Sequence, residues 1–376
     1  MSAMVMDPKF VEKFNGRVGQ AFLYLTDSCN LSCVQCLYKS ELTFQLAQKE
    51  IPYPQAVALM ENLHELGARK MTFMGGEPTL YEKLPDLIAE AKRIGYTYVR
   101  IDTNGMFKPT MLDNPNFRKL DEITFSLDGY TEEMNDAVRG KNSYKNCVAN
   151  IKRAIEKGYK VHVTSCVHKD LVQSDEGRLG ILRMVDFMKG LGVRTLNMHD
   201  LFKAGIPRDI WSGDVSTSLE DYMQAYTAVL DHKATEKDIS IRMPQCFTVQ
   251  EEFERNKEYY GYCSVKQYDR VLAFPNGMLR VCSLMIGSPY CVGFFDQNRM
   301  YWNDTPTNEI LGHNMDTDTP CTNQHKGKHF GKYVPLCVSF KPKQDEPVWT
   351  EKLKWEDRRK DIQPPACKKG TGCNCG

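Results

Sequence analysis

The sequence has no long apolar run and no excess of charge of one sign. No stretch approaches the roughly 18 apolar residues that a membrane-spanning helix needs, and the start, MSAMVMDPKF, carries charges without the apolar core of a signal peptide. The 49 basic and 48 acidic side chains leave a formal net charge of +1, which is not the one-sided field that attracts nucleic acid or an anionic membrane. We therefore expect a cytoplasmic protein that binds neither nucleic acid nor membranes.

Internal repeats and low-complexity linkers are also missing. Of the 376 residues, 41% are hydrophobic and 26% are charged, which is typical of a folded globular chain. This composition excludes disordered and collagen-like proteins, and the length suffices for two packed cores.

Cysteine is the residue type that the sequence has in excess. Fourteen cysteines in a chain without a signal peptide favour metal ligands or buried apolar side chains over disulfides, because the cytosol keeps thiols reduced. Three lie between positions 29 and 36, Cys147 and Cys166 stand alone, and nine follow position 245. This uneven distribution divides the chain into two parts.

The first part, residues 1–235, alternates short apolar segments with amphipathic ones. Helical patterns such as 53–66 and 144–157 separate six predicted strands, at 20–26, 70–74, 96–102, 122–127, 160–165 and 194–199. This alternation predicts an α/β fold, a partial (β/α)6 barrel with a parallel sheet. Residues 236–376 contain short segments, turns and cysteines, which predict a small cysteine-rich domain stabilised by metal.

The strongest motif is CNLSCVQC, directly after the first predicted strand. Its thiolates, Cys29, Cys33 and Cys36, can bind three irons of a [4Fe-4S] cubane and leave the fourth iron open for reaction. A zinc site or chance clustering is the alternative. Zinc commonly takes four ligands in C-x2-C pairs, whereas a three-cysteine loop at the carboxyl end of a strand suits a barrel active site.

On this loop and on three later motifs the chain resembles the radical S-adenosylmethionine (SAM) enzymes. MGGEPTL, IDTNG and FSLDG follow the second, third and fourth predicted strands, in the order of the family's landmarks. The family's loop has an aromatic residue where this chain has Gln35, a departure that concerns the contact with adenine and not the cluster. The resemblance implies SAM-binding residues at Gly75, Gly76, Glu77, Pro78, Thr103, Asn104, Ser126, Asp128 and Arg139.

Physical reasons stand beside several of these implied roles. Gly75 and Gly76 lack side chains where the backbone would approach a ligand, and Glu77 offers a negative charge to the ammonium of SAM. The guanidinium of Arg139 suits the carboxylate of SAM. The alternatives are a tight turn at the glycines and a solvated surface position for the arginine.

Asn104 and Asp128 either contact ribose hydroxyls or cap turns, as Asx residues commonly do. The resemblance implies that SAM chelates the open iron and is cleaved by an electron to methionine and a 5'-deoxyadenosyl radical, which takes a hydrogen atom from the substrate. Reduced flavodoxin or ferredoxin is the expected electron donor. The motifs assign no catalytic acid or base.

A second resemblance lies in the C-terminal part. The C-x13-G-x4-C pattern at Cys263, Gly277 and Cys282 is similar to the start of the SPASM and twitch domains, which carry auxiliary [4Fe-4S] clusters. The later cysteines depart from the C-x2-C-x5-C-x3-C continuation, so the resemblance implies one auxiliary cluster and leaves a second open. The candidate ligands are Cys263, Cys282, Cys321, Cys337, Cys367, Cys373 and Cys375. We expect the other four cysteines to be structural, namely Cys147, Cys166, Cys246 and Cys291.

The substrate expected from these resemblances is a peptide, modified oxidatively by a maturase of ribosomally made peptides. The residues before the first strand are too few for a peptide-recognition domain, which weighs against a peptide substrate but does not exclude it, because a separate recognition protein can supply that domain. One alternative is oxidation of a sugar or alcohol, and a GTP cyclase of molybdopterin synthesis fits the hairpin cysteines poorly. From other classes, a non-catalytic iron-sulfur electron carrier or a zinc-stapled binding protein would need no SAM pocket.

Truncation after Pro365 should lower the iron content of the anaerobically reconstituted protein. Cys367, Cys373 and Cys375 lie among glycines that let the backbone fold around a cluster, and about four irons are lost if the tail holds its own cubane. Iron analysis measures the loss, with the full-length double variant of Lys368→Ala and Lys369→Ala as the control. Unchanged iron and unchanged turnover after truncation would show that the tail cysteines are not ligands.

Overall fold

The structure is a computed structural model that describes residues 4–38, 49–175, 177–200, 217–244, 247–249, 251, 255, 262–263, 268–283, 291–303, 333–335 and 340–341. Its helices are α1 Pro8–Phe14, α2 Tyr53–Glu65, α3 Leu84–Ile94, α4 Glu132–Arg139, α5 Ser143–Glu156, α6 Lys169–Val172, α7 Gly180–Gly190 and α8 Leu219–Lys233. No helix in this described part is both long and apolar enough to span a membrane.

The strands of the first half are β1 Val5–Met6, β2 Gln20–Tyr24, β3 Lys70–Met74, β4 Tyr98–Thr103, β5 Glu122–Ser126, β6 Val161–Val167, β7 Ser174–Asp175, β8 Arg178–Leu179 and β9 Thr195–Asp200. Those that follow are β10 Ser240–Arg242, β11 Phe247–Val249, β12 Tyr262–Cys263, β13 Arg270–Ala273, β14 Met278–Arg280, β15 Gly293–Phe295, β16 Arg299–Trp302, β17 Tyr333–Pro335 and β18 Phe340–Lys341.

The six predicted strands are present as β2, β3, β4, β5, β6 and β9. They pair in parallel in this order. Because parallel neighbours need a crossover, α-helices connect successive strands, except that the short 3-10 helices Pro109–Asp113 and Phe117–Lys119 lie between β4 and β5. The predicted α/β fold with a parallel sheet is therefore confirmed, and each strand begins and ends within two residues of its prediction.

The sheet continues at both edges. Strand β10 pairs in parallel with β9, and on the other side β13 pairs in parallel with β2. Strands β13 to β16 then form an antiparallel meander, and β16 pairs in parallel with β1. The cysteine hairpin of the C-terminal part thus joins the first strand of the parallel sheet directly. The domain boundary at residue 235 stays a prediction.

The two faces of the parallel sheet differ in character. On one face, alternating side chains of the strands are fully buried and form a single hydrophobic cluster with residues of the helices. These strand residues include Leu23, Phe73, Ile101, Phe125 and Leu196. The helices cover this outer face, so the other set points to the inside of the partial barrel. The inner set is polar, and near the carboxyl ends of the strands it is partly exposed.

A buried ion network occupies the amino-terminal end of this inner face. The Glu122 carboxylate is 1% exposed and lies 2.9 Å from His162 Nδ1, 3.1 Å from Lys160 Nζ and 3.5 Å from Arg100 Nη1. The Tyr98 hydroxyl also donates to it. Burial by itself would raise the pKa of Glu122, but His162, Tyr98 and Lys160 outweigh burial and bring the pKa to about 2. The network therefore holds three strands together through one ionised group.

Acid should weaken this network within a defined range of pH. Since the folded-state pKa of Glu122 is about 2, below its ordinary value of 4.5, its contribution is complete above pH 4.5 and is lost as the pH falls toward 2. The difference in melting temperature between wild type and Glu122→Gln should thus shrink over this range, as measured by circular dichroism.

The matched control is Glu133→Gln, which changes an exposed carboxyl group. A difference between wild type and Glu122→Gln that stays constant from pH 7 to pH 2.5 would contradict the assignment.

Candidate active site at the carboxyl ends of the strands

Cys29, Cys33 and Cys36 lie in the loop that follows β2, at the carboxyl end of the sheet. Cys29 is exposed, and the other two are half-buried. Burial raises the pKa of the Cys33 thiol to about 11, and the neighbouring Cys36 adds to this rise. Burial also raises the pKa of Cys29, although Leu31 donates its backbone N–H to the sulfur at 3.4 Å. Both pKa shifts favour the protonated thiols of Cys29 and Cys33 when no metal is bound.

The arrangement of the three thiols fits a group larger than one ion. Cys29, Cys33 and Cys36 are close enough to influence one another's pKa. Even so, among the described residues no three His, Cys, Asp or Glu side chains could hold a single metal ion. Structural zinc needs four donors around one centre, whereas a cubane offers a separate iron to each thiolate. The donor set of three thiols is compatible with a [4Fe-4S] cluster, which stays a prediction for this loop.

Gly75 and Gly76 pack against the backbone that leads into this loop. Gly76 donates its N–H to Thr26 O at 2.6 Å, and Glu77 donates its N–H to Ser28 O at 2.8 Å. A Cβ at Gly75 would lie 2.7 Å from Thr26 O, and one at Gly76 would overlap Ser28. The close approach in the structure is thus to the cysteine loop, and room for a ligand stays a prediction.

Glu77 joins the ends of β3 and β4. Its carboxylate is 1% exposed and accepts hydrogen bonds from Thr103 Oγ1 at 2.6 Å and from the Asn104 backbone at 2.8 Å. Thr79 donates both its hydroxyl and its N–H, and Pro78 opens the short 3-10 helix that Glu77 caps. Burial raises the pKa of Glu77. Sequence reasoning missed this structural role, which the donor residues at positions 79, 103 and 104 could have indicated.

Asn104 connects β4 to the cysteine loop. Its side-chain nitrogen lies 2.8 Å from Asn30 Oδ1 and 3.8 Å from Cys29 Sγ, and its side-chain oxygen accepts from the Met106 backbone at 2.8 Å. Asn104 therefore both caps a turn and contacts the cysteine loop. Contact with a ribose stays a prediction.

Asp128 and Arg139 form a buried ion pair beside the loop. Arg139 Nε lies 2.6 Å from Asp128 Oδ2, which also accepts from Gln35 Nε2 at 2.5 Å. The other carboxylate oxygen accepts the Cys166 backbone N–H at 2.7 Å. Burial opposes the charge of Arg139, but Asp128 raises its pKa overall. Arg139, expected to face the carboxylate of SAM, thus has a carboxylate of the protein as its partner.

Ser126 is half-buried at the end of β5, and its backbone carbonyl accepts from the Cys147 thiol at 3.6 Å. Cys147 is buried against Gly105, whose φ of +77° and lack of Cβ allow this contact. Cys291 is also buried, and its sulfur accepts from Asn303 at 3.3 Å. These two cysteines therefore pack inside the fold.

The C-terminal cysteines are only partly described. Cys282 is buried at the end of the β13–β14 hairpin, whose turn contains Gly277 at a φ of +81°. Cys263 lies in β12, which pairs antiparallel with β18. The remaining candidate ligands lie outside the described residues, as does Cys246; these ligands are Cys321, Cys337, Cys367, Cys373 and Cys375. An auxiliary cluster stays a prediction.

An aromatic stack, Tyr24, Tyr38 and Phe274, links the cysteine loop to this hairpin. The ring centroid of Tyr24 lies 5.1 Å from that of Tyr38 and 4.4 Å from that of Phe274. Cys36 packs against these three rings. The fully buried Arg280 places its guanidinium 5.7 Å from the Phe274 ring. Sequence reasoning missed the stack because its members are far apart in the chain.

The fold and the site together define a partial α/β barrel with a three-cysteine loop at the carboxyl ends of its strands. Residues 23–198 match the family model of the radical SAM superfamily. This part of the chain is thus a radical SAM domain, as the motifs of the cysteine loop and of β3 to β5 predicted.

Curated relatives resemble about half of the chain. A probable GTP 3',8-cyclase of Metallosphaera sedula is 26% identical over 50% of this chain and 57% of its own length. The Fe-coproporphyrin III synthase of Methanosarcina barkeri is 29% identical over 55% of this chain and 49% of its own length. The chain thus spans about half the length of these relatives.

Solved structures share the fold at low sequence identity. Streptococcus suis SuiB bound to the precursor peptide SuiA is 18% identical, with a TM-score of 0.56 over 75% of this chain and 63% of SuiB. The protein anSMEcpe with bound AdoMet and the Kp18Cys peptide is 13% identical, with a TM-score of 0.59 over 92% of this chain and 95% of that one. At these identities the likeness concerns the fold alone.

Replacing Cys29, Cys33 and Cys36 together with Ala should abolish formation of 5'-deoxyadenosine under anaerobic reduction, because the cluster loses its protein ligands. Chromatography of the nucleoside products and iron analysis measure the effect. The control is Cys147→Ala, which removes a buried thiol outside the loop. This variant should keep the wild-type iron content and the wild-type formation of 5'-deoxyadenosine. A triple variant that cleaves SAM at the wild-type rate would refute the assignment of the loop.

Proposed function

We propose that this radical SAM enzyme modifies a peptide substrate by oxidation. When bound, the cluster and SAM would supply a 5'-deoxyadenosyl radical that takes one hydrogen atom from an unactivated carbon. The substrate radical would then lose one electron to an auxiliary [4Fe-4S] cluster and one proton to a base or solvent, so that the product is lighter by two hydrogens. Reduced flavodoxin or ferredoxin would deliver the electron for SAM cleavage.

The observation that carries this proposal is the open inner face beneath the cysteine loop. Several hydrogen-bonding side chains near the carboxyl ends of the inner strands are partly exposed, whereas the outer face is dry; they are Asp102, Ser126, Thr164, Asn197 and His199. Active sites of barrel enzymes lie at this end. A substrate bound here would lie next to the site where the radical forms.

The charges of this inner face favour a neutral substrate over a nucleoside triphosphate. Arg100 lies 3.4 Å from Asp102 and 3.5 Å from Glu122, and Lys160 lies 3.1 Å from Glu122. Both cations are thus already paired with carboxylates of the protein. Triphosphates are commonly bound by Arg or Lys groups that are available to them, which supports a peptide rather than GTP.

The two structural neighbours are bound to peptides, as their descriptions state, which also supports a peptide substrate. A separate recognition protein would then present it. The aromatic stack and the buried Cys282, which follows the hairpin that joins β2 through β13, support an electron acceptor in the C-terminal part. This acceptor would be a SPASM-like or twitch-like cluster.

GTP cyclisation is the second candidate, because several curated relatives are GTP 3',8-cyclases. Oxidation of a sugar or alcohol would suit the same polar inner face.

Incubation with peptides encoded beside the gene should give methionine, 5'-deoxyadenosine and a peptide lighter by two hydrogens. Mass spectrometry of the peptide measures this change, and the triple cysteine variant is the control. A methyl gain, or isomerisation without a mass change, would exclude the oxidative version. Conversion of GTP while every peptide stays unchanged would replace the peptide proposal by the cyclase.

A further inference from the structure

Asp102 is a partly exposed carboxylate of the inner face. Of the inner side chains that the structure describes on β3 to β6 and on β9, it is the only carboxylate that is not fully buried: 22% of its side chain is exposed, although its Oδ1 atom is buried. The inner positions of β5 and β9 near it carry hydroxyl, amide and imidazole groups, which bind polar ligands without a fixed charge, whereas β3 places the thioether of Met74 beside it.

Within the described residues, the carboxylate of Asp102 accepts only long hydrogen bonds, so it can accept further ones. Arg100 Nε and Nη2 each lie 3.4 Å away, which is long for a charged hydrogen bond. The hydroxyl of Thr124 on the next strand donates to Glu122 at 3.2 Å and also lowers the pKa of Asp102. An ionised carboxylate has about four acceptor sites. Burial raises the pKa of Asp102 although Arg100 opposes the rise, so an added donor would stabilise its charged form.

The position of Asp102 along β4 places it close to the reaction site. It precedes Thr103, which bonds Glu77, and Asn104, whose side-chain nitrogen lies 3.8 Å from Cys29 Sγ. Two residues of a strand span about 6.6 Å. A substrate group held at Asp102 would therefore lie two strand positions from Asn104, the residue that contacts the cysteine loop.

The local charge indicates which donor Asp102 would accept. Arg100 lies between Asp102 and Glu122, and Lys160 pairs with Glu122 on its far side. The two carboxylates are thus balanced by two cations. A substrate cation would gain little net attraction here, whereas a neutral O–H or N–H donor finds a charged acceptor, the stronger kind of hydrogen bond.

We propose that Asp102 is a substrate-binding residue that selects a neutral hydroxyl or primary amide group of the substrate. The inference rests on the proposed function, since it names the chemistry that the same site recognises. Asp102 then orients the neighbouring carbon toward the cysteine loop, and Arg100 acts as its positioning residue.

Small amides deuterated at the α-carbon test this inference without knowledge of the natural substrate. The probes are the N-acetyl, C-terminal N-methylamide derivatives of serine, asparagine, alanine and lysine, which share the same reacting bond and differ only in the side chain, so that the asparagine probe alone carries a primary amide. Each is added to the reconstituted, reduced protein with SAM, and deuterium in 5'-deoxyadenosine is measured by mass spectrometry as a fraction of all 5'-deoxyadenosine formed.

The serine and asparagine probes should transfer about tenfold more deuterium than the alanine probe, the effect of one hydrogen bond to a charged group. Asp102→Ala should reduce this preference to about one, and the exposed Asp113→Ala should keep it. A larger transfer from serine than from asparagine, or the reverse, identifies the donor group. Thermal unfolding of both variants checks that they are folded.

Three results would overturn the inference: no preference of the wild type for the serine or asparagine probe, a preference for the lysine probe, or an unchanged preference in Asp102→Ala. The wild-type comparison is decisive even where the variant fails to fold. Complete absence of 5'-deoxyadenosine would instead refute SAM cleavage, so failure of the proposed function is distinguishable from failure of this inference.

Discussion

The close contact between two backbone segments determines the geometry of the whole candidate site. Gly76 donates to Thr26 and Glu77 donates to Ser28, which ties the end of β3 to the start of the cysteine loop. A side chain at either glycine would overlap that loop, so the contact requires glycine. Glu77 then carries the constraint to the end of β4, because it accepts hydrogen bonds from the Thr103 hydroxyl and the Asn104 N–H. Three consecutive strands thereby fix where the thiols stand.

A second support reaches the loop from the opposite side. Asp128 is fully buried, and its ion pair with Arg139 neutralises both charges in place. The same carboxylate accepts a hydrogen bond from the side chain of Gln35, which lies between Cys33 and Cys36 in the sequence. The Cys33 thiol lies 3.7 Å from the Arg139 carbonyl. A buried charge is costly unless it is paired and hydrogen-bonded. Here the pairing also positions the loop, so one interaction serves stability and site geometry.

Local patterns in the sequence were sufficient for the parallel strands and the cysteine loop. The strands β2 to β6 and β9 have short apolar runs with their own turn signals, and the loop is a contiguous motif. Asp102, Glu122 and the aromatic stack were not predictable in the same way. Their roles come from neighbours on other strands, such as Glu122 with His162, and periodicity within one segment does not encode such pairings. The later cysteines could be predicted as candidates only, because ligation depends on tertiary proximity.

The pairing of β2 with β13 has a consequence for how the chain reaches its folded state. Gln20 pairs with Arg270, 250 residues later, whereas the other neighbour of β2 is β3, about 50 residues away. During synthesis the parallel strands can assemble from the amino terminus onward, but one edge of β2 has no strand beside it until β13 has left the ribosome. An open strand edge is a template for association with other chains. The segment from β3 to β10 must therefore emerge while that edge is exposed, which makes the nascent chain, rather than the finished protein, the form most prone to aggregation.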